Sequence, residues 1–359
     1  MPHAVNAPGR SCIGRQASAS GGLTVVTNMQ WFYGATWGRT VRHCDLIPVR
    51  QRAAGCAQRA EIINRQLELI EVLRRNAMHP SVAEVHVLVG EAEPIRRFLD
   101  HLPWHARFGC KIHLVETHSR PRFSDYVQYM SNVLRNRPVA FTNQDIFLEG
   151  IGWEFVPRTL GPNQAYFLSR YHTRQHYDVQ HSMAAGSEEG IFNTSMSRSS
   201  VGRLVYGDRR EPRTCDMTSG RFAVWRRSLC SPSNFGSYDA YVLRFNRELS
   251  DAEIDLFNYP QNSWGGENLF LFLVQRALNM HVTNPCMTLR AVHMHCELPT
   301  SFGVLKVGDQ RLGKRDIILR AQHKLRRMGS AAADMSPDVI GKLALNVTAL
   351  ADPGPSLEA

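Results

Sequence analysis

Across the first 150 residues, short β-branched or apolar runs alternate with segments of helical period, and this alternation restricts the possible fold more than any other property of the chain. Leu23–Asn28 (Leu-Thr-Val-Val-Thr-Asn) reads as a first strand. In Arg59–Asn76 the apolar residues Ile62, Ile63, Leu67, Leu69, Ile70 and Leu73 recur with a helical period. Val85–Val89 is a second strand, followed by a helix over Glu93–Leu102 with Pro94 in its first turn. Lys111–Glu116 is a third strand, Phe123–Leu134 a helix, and Pro138–Leu148 a fourth strand. Strand and helix in strict alternation predict an α/β fold, with a mostly parallel central sheet covered on both faces by helices. An α+β arrangement is the competing expectation.

The fourth strand carries a polar interruption. Val139-Ala140-Phe141 is a short apolar run opened by a proline, and it ends on Asn143-Gln144-Asp145 before Ile146-Phe147-Leu148 turns apolar again. In open α/β sheets ligands bind outside the carboxyl ends of the strands. A carboxylate there, Asp145, with an amide two residues before it, suits a hard divalent cation that prefers oxygen ligands. An ordinary turn would carry the same three residues.

The second half loses the alternation. Ala165–Tyr171 and Ser237–Phe245 read as strands, and the polar stretch His172–Asp216 between them reads as a long loop. Glu267–Met280 is an apolar helix, His281–Asn284 and Thr288–His295 are short strands, and Lys306–Arg327 is a basic helix. Residues 1–22 are rich in Gly, Ser and Ala and are expected to be disordered, as is the low-complexity tail 329–359. What lies between, 23–328, is expected to form one domain, with 151–328 an acceptor-side extension of the alternating half 23–150 and not a separate unit.

Two further groups of residues suit chemistry. Gly265 and Gly266 let the backbone approach a ligand closely, and Glu267 falls in the first turn of a helix, whose dipole favours an ionised carboxylate. His293 and His295 alternate along a strand, so both imidazoles lie on one face and can address one ion or phosphate. The bland alternatives are a helix start with a helpful glutamate and a surface histidine pair.

The excess of 42 Lys+Arg over 32 Asp+Glu favours an anionic partner. The basic residues are scattered, with no aromatic-interleaved stripe, so nucleic acid is not the expected partner. No window approaches the roughly 18 apolar residues of a membrane span. The amino terminus lacks the apolar core of a signal peptide, although no Asp or Glu precedes Asp45, a weak likeness to a transit peptide. Eight cysteines without Cys-x-x-Cys spacing argue against a zinc ribbon and leave disulfides open, should the chain reside in a lumen.

Taken together, these residues resemble those of GT-A-fold glycosyltransferases. In that family a short acidic signature, Asp-x-Asp or a variant, closes the fourth strand and holds Mn²⁺ or Mg²⁺ on the donor diphosphate; Asn143-Gln144-Asp145 occupies that place, with Asn first. Trp264-Gly265-Gly266-Glu267-Asn268 looks like the Trp-Gly-Gly-Glu-Asn/Asp motif of animal galactosyl- and N-acetylgalactosaminyltransferases, whose acidic residue faces acceptor and sugar. Phe123-Ser-Asp-Tyr and Ser237-Tyr-Asp-Ala-Tyr are similar in order to segments of nucleotide-diphospho-sugar transferase homologues, some of which also begin the triplet with Asn. The resemblance spans Leu23 to Pro299.

It implies a donor site around Asn28, Arg59, Arg120, Asn143, Asp145, Gly265 and Gly266, and catalytic roles for Glu267 and Asp239. It also implies metal ligation by Asp145 with His293 or His295. The implied partners are a UDP- or GDP-sugar and a glycan, protein or small-molecule acceptor. The alternative is a non-catalytic homologue that binds a nucleotide or glycan. The compartment stays open: a soluble protein if the chain begins where it is given, the Golgi or another secretory compartment if it does not.

Overall fold

The computed structural model describes residues 22–29, 66, 68–117, 121–172, 230, 238–261, 266–294, 314–330, 334–340 and 345. Nine strands among them join one mixed sheet: β1 (Leu23–Asn28), β2 (Val82–Val89), β3 (Ile112–Glu116), β4 (Val139–Thr142), β5 (Ile146–Glu149), β6 (Gln164–His172), β7 (Tyr238–Leu243), β8 (His281–Thr283) and β9 (Arg290–His293). The order is β3-β2-β1-β4-β7-β6-β9-β5, with β8 also on β6. The first four in that order are parallel, as the alternation predicts. Beyond them β7 is antiparallel to both β4 and β6, and β5 is antiparallel to β9, so the second half makes the sheet mixed.

Helices cover both faces. Residues 68–78 (α1) and Ala92–Asp100 (α2) lie on one side, where Ile70, Leu73, Ile95 and Leu99 pack with Val25, Val85, Val87 and Ala140. On the other, Phe123–Asn132 (α3), Gly266–Arg276 (α5) and Lys314–Arg327 (α6) pack with Val26, Leu88 and Phe141; Asp251–Leu256 (α4) lies beside them. Because neighbouring residues of β1 point to opposite faces and both faces are covered, Leu23 to Val26 are all fully buried. Phe270 of α5 stands at the centre of an aromatic cluster, 4.9 Å from the rings of both Phe123 and Tyr241.

Two expectations need correction. Pro138–Leu148 is not one strand. Asn143 to Asp145 form a turn, with the Ile146 N–H donating to the Asn143 carbonyl (3.1 Å), and this turn sends β5 away from β4 to pair with β9. β6 links the two regions. Its first half pairs with β7, its last residues pair with β9, and the β6–β7 register shifts at Leu168/Ser169, where a bulge lets a strand change partners.

The tail after residue 329 is not without structure either. Ser336 and Pro337 open a short helix, Pro337–Ile340 (α7); its Ile340 is fully buried in the main core, and the Leu345 N–H donates to the Tyr238 hydroxyl (2.7 Å). The expected disordered start (1–22) and polar loop (from 173) fall outside the described residues apart from residue 22, as do residues 59–65 and 306–313 of the expected helices. No described helix is long and apolar enough to cross a membrane.

Candidate functional site

The turn between β4 and β5 is the place where the site residues converge. Asn143 continues β4 by one residue, and its N–H donates to the Asp239 carbonyl of β7 (3.1 Å). Its side chain bonds at both ends: Nδ2 donates to Asp239 Oδ1 (2.8 Å), while Oδ1 accepts from Gln261 Nε2 (2.7 Å). Gln261 Oε1 in turn accepts from the Tyr126 hydroxyl of α3 (3.1 Å). Burial, and secondarily the Asp125 carboxylate, raise the Tyr126 phenol well above its usual range, so it stays a donor at any physiological pH.

Asp239 is almost wholly buried, and Arg170 of β6 neutralises it, Nη1 lying 2.8 Å from each carboxylate oxygen. An ion at this depth persists only when paired and hydrogen-bonded. The chain Tyr126–Gln261–Asn143–Asp239–Arg170 therefore fixes the carboxyl end of β4.

Asp145 belongs to the other side of the turn. Its carbonyl accepts from the Met294 N–H (2.8 Å), and β5 pairs Ile146 with His293, so the residue before Ile146 meets the end of β9. There His293 Nε2 lies 3.1 Å from Asp145 Oδ2, although 148 residues separate them in sequence. Their side chains keep 11% and 14% of their exposure, enough for a ligand to reach them. The contact is a hydrogen bond, and its length is also close to the roughly 3 Å between adjacent ligand atoms in an octahedral shell of ~2.1 Å bonds.

Helix α1 holds this half in place. Asn76, fully buried, donates from Nδ2 to the Ile146 carbonyl (3.0 Å) and accepts the Leu148 N–H at Oδ1 (2.9 Å), acting as one more strand on the edge of β5. His79 Nε2 lies 3.0 Å from the Gly150 carbonyl, and the Arg75 guanidinium sits 4.8 Å from the centre of the Phe147 ring.

Glu267, in the first turn of α5, accepts the Tyr238 N–H at Oε2 (3.2 Å), beside the strand that carries Asp239. Burial first, with Glu267 adding to it, pushes the Tyr238 phenol up to about 12. Asn28 ends β1, two residues beyond Val26, which pairs with Phe141; its Oδ1 is buried with no hydrogen-bond partner among the described residues.

Of the residues expected at the site, Asn143, Asp145, Asp239, Gly266, Glu267 and His293 gather around β4, β7 and the start of α5, with Asn28 on the neighbouring strand end. Arg59, Arg120, Gly265 and His295 lie outside the described residues. Arg170, Gln261 and Tyr126 were not foreseen as site residues; Tyr126 lies in the Phe-Ser-Asp-Tyr segment, whereas nothing local in sequence marks Arg170 or Gln261. A separate groove of about 450 Å³ runs between α4 and α6, with Arg122, Arg320, His323, Lys324 and Arg327 among its lining residues. No protein-family model matches the chain, and no curated protein matches it.

Proposed function

We propose that the chain is a GT-A-type glycosyltransferase, which moves a sugar from a nucleotide-diphosphate donor to an acceptor with help from Mn²⁺ or Mg²⁺. The observation that carries this reading is the Asp145–His293 pair, brought to 3.1 Å at the carboxyl end of β4 by the pairing of β5 with β9. The order β3-β2-β1-β4, all parallel, supports it by placing a topological switch point between β1 and β4, where ligands bind in open α/β sheets. So does the Oδ1 of Asn28, buried at the end of β1 with no hydrogen-bond partner among the described residues.

In this reading Asp145 and His293 hold the ion. Held there, a divalent cation would neutralise charge on the leaving diphosphate. Glu267, exposed in part at the start of α5, takes the acceptor proton in an inverting reaction. Asp239, tied down by Arg170 and Asn143, positions the sugar side of the crevice instead of moving a proton. The Cys230–Cys286 disulfide supports a secretory or other oxidising compartment.

A second reading, a homologue that binds without turnover, is favoured by one detail. The Asn143 side chain is spent on Asp239 and Gln261, so the triplet offers an ion only the Asp145 carboxylate.

The test is a thermal-shift screen of nucleotide sugars with and without Mn²⁺, on wild type and Asp145→Ala. A Mn²⁺-dependent rise in Tm with one UDP- or GDP-sugar, lost in the variant, is expected. A well-folded protein that responds to no donor sinks the proposal. Donor binding without turnover, unchanged by Glu267→Gln, selects the second reading.

A further inference from the structure

At the far edge of the sheet β2 and β3 bring together a second set of metal-ligating side chains. Glu84 and His86 alternate along β2 and so share a face, and the parallel register sets His86 beside His113 of β3. One ligating atom from each of the three lies within 4.8 Å of the other two. Glu84 Oε2 and His86 Nε2 are hydrogen-bonded at 3.0 Å, close to the roughly 3.4 Å between two ligands of a tetrahedral ion with ~2.1 Å bonds. The imidazoles of His86 and His113 stack with ring centres 4.6 Å apart.

The surroundings suit such a role. His86 Nδ1 lies 2.8 Å from the Tyr129 hydroxyl of α3, an outer contact that fixes the ring and leaves Nε2 for the ion. Arg137 Nη2 lies 2.8 Å from Glu84 Oε2 and is the one cation paired with the set among the described residues. Two imidazoles and one carboxylate are a borderline donor set, better matched to Zn²⁺ than to Mg²⁺ or Ca²⁺.

We propose that Glu84, His86 and His113 form a zinc-class site that clamps β2 to β3, distinct from the Asp145–His293 pair beyond the opposite ends of the parallel strands. The inference does not depend on the proposed glycosyltransferase activity. Zn²⁺ would be titrated into the metal-stripped full chain, with affinity read by competition against a chromophoric chelator and stability by Tm. One equivalent is expected in wild type and in Asp145→Ala, with a raised Tm in both. His113→Asn is expected to weaken binding at least about 100-fold and Tyr129→Phe about tenfold.

His113 is partly exposed, so its variant should fold; circular dichroism in EDTA checks this, and Glu84→Gln carries the same expectation if it does not. No zinc bound by wild type, leaving an ion-pair network only, overturns the proposal. Binding that survives His113→Asn but is lost in Asp145→Ala also overturns it, by moving the ion to the other pair.

Discussion

Asn76 and Arg170 are the side chains on which the geometry of the candidate site rests, and neither reaches the ligand positions. Asn76 satisfies one carbonyl and one N–H of β5 in a place closed to water. Asn76→Ala strands both groups and is expected to cost about 3 kcal/mol, since each buried unpaired group costs ~1–3 kcal/mol. Chemical denaturation checks the figure, and any divalent-ion binding at Asp145 should weaken alongside it. Arg170→Met takes a cation away from the buried Asp239 carboxylate, for a loss of about 3–5 kcal/mol. Adding Asp239→Asn should recover much of that loss. If the double variant is no more stable than Arg170→Met alone, the pair is not the reason Asp239 tolerates burial.

At the scale of elements, α4 offers a local measurement. Ser250 caps the helix by accepting the Glu253 N–H, Glu253 returns a bond to the Ser250 N–H, and Arg247 clasps the Glu253 carboxylate. Ser250→Ala should cost about 1 kcal/mol. The Arg247 guanidinium, then the Ser250 N–H and hydroxyl, hold Glu253 at about 2, below its ordinary 4.5. A depressed carboxylate adds stability above the ordinary value and loses it as pH falls. The stability gap between wild type and Glu253→Gln should therefore be full near neutral pH, shrink from about pH 4.5 and close near pH 2; urea melts across that range measure it.

Elements of this kind were largely legible. β1, β3 and α3 announced themselves because their apolar periods match buried faces. The partners of β5 were not legible, because strand register is set by distant chain: nothing near Ile146 says that His293 lies opposite. The turn residues themselves pointed to Asp145, since a polar triplet inside an apolar run needs a reason to be there. Arg170 carried no such mark, its meaning coming only from Asp239 on the next strand. The tail misled because its Ala, Gly and Pro content hid Ile340, which is buried by contacts that composition does not report.

On the scale of the whole molecule, the disulfide joins Cys230, upstream of β7, to Cys286 between β8 and β9, closing a loop with a sequence separation of 56. Chain entropy alone gives such a link about 4 kcal/mol. Cys230→Ala with Cys286→Ala should lower Tm accordingly, and reductant should lower the Tm of wild type by more than that of the double variant, in which the bond at Cys110 is still there to be reduced. The Tyr171 hydroxyl bonds the Cys286 carbonyl (3.0 Å), so loosening this link also disturbs the segment leading into β9.

The turn at Asn143–Asp145 has a further consequence. Asn143 is anchored to β7, in the main body of the sheet, and Asp145 to the end of β9, so the two ends of one tripeptide belong to different hydrogen-bonded ladders. β5 ends the strand order and pairs with β9 alone among the described strands, and a short ladder at an edge opens more often than central ones. Amide exchange should be faster in β5 and β9 than in β1, β2 and β4. An ion held by Asp145 and His293 alone would slow exchange only in the short pair. A molecule that spans the turn would slow it on both sides, so the exchange pattern itself tells a bound ion from a bound substrate.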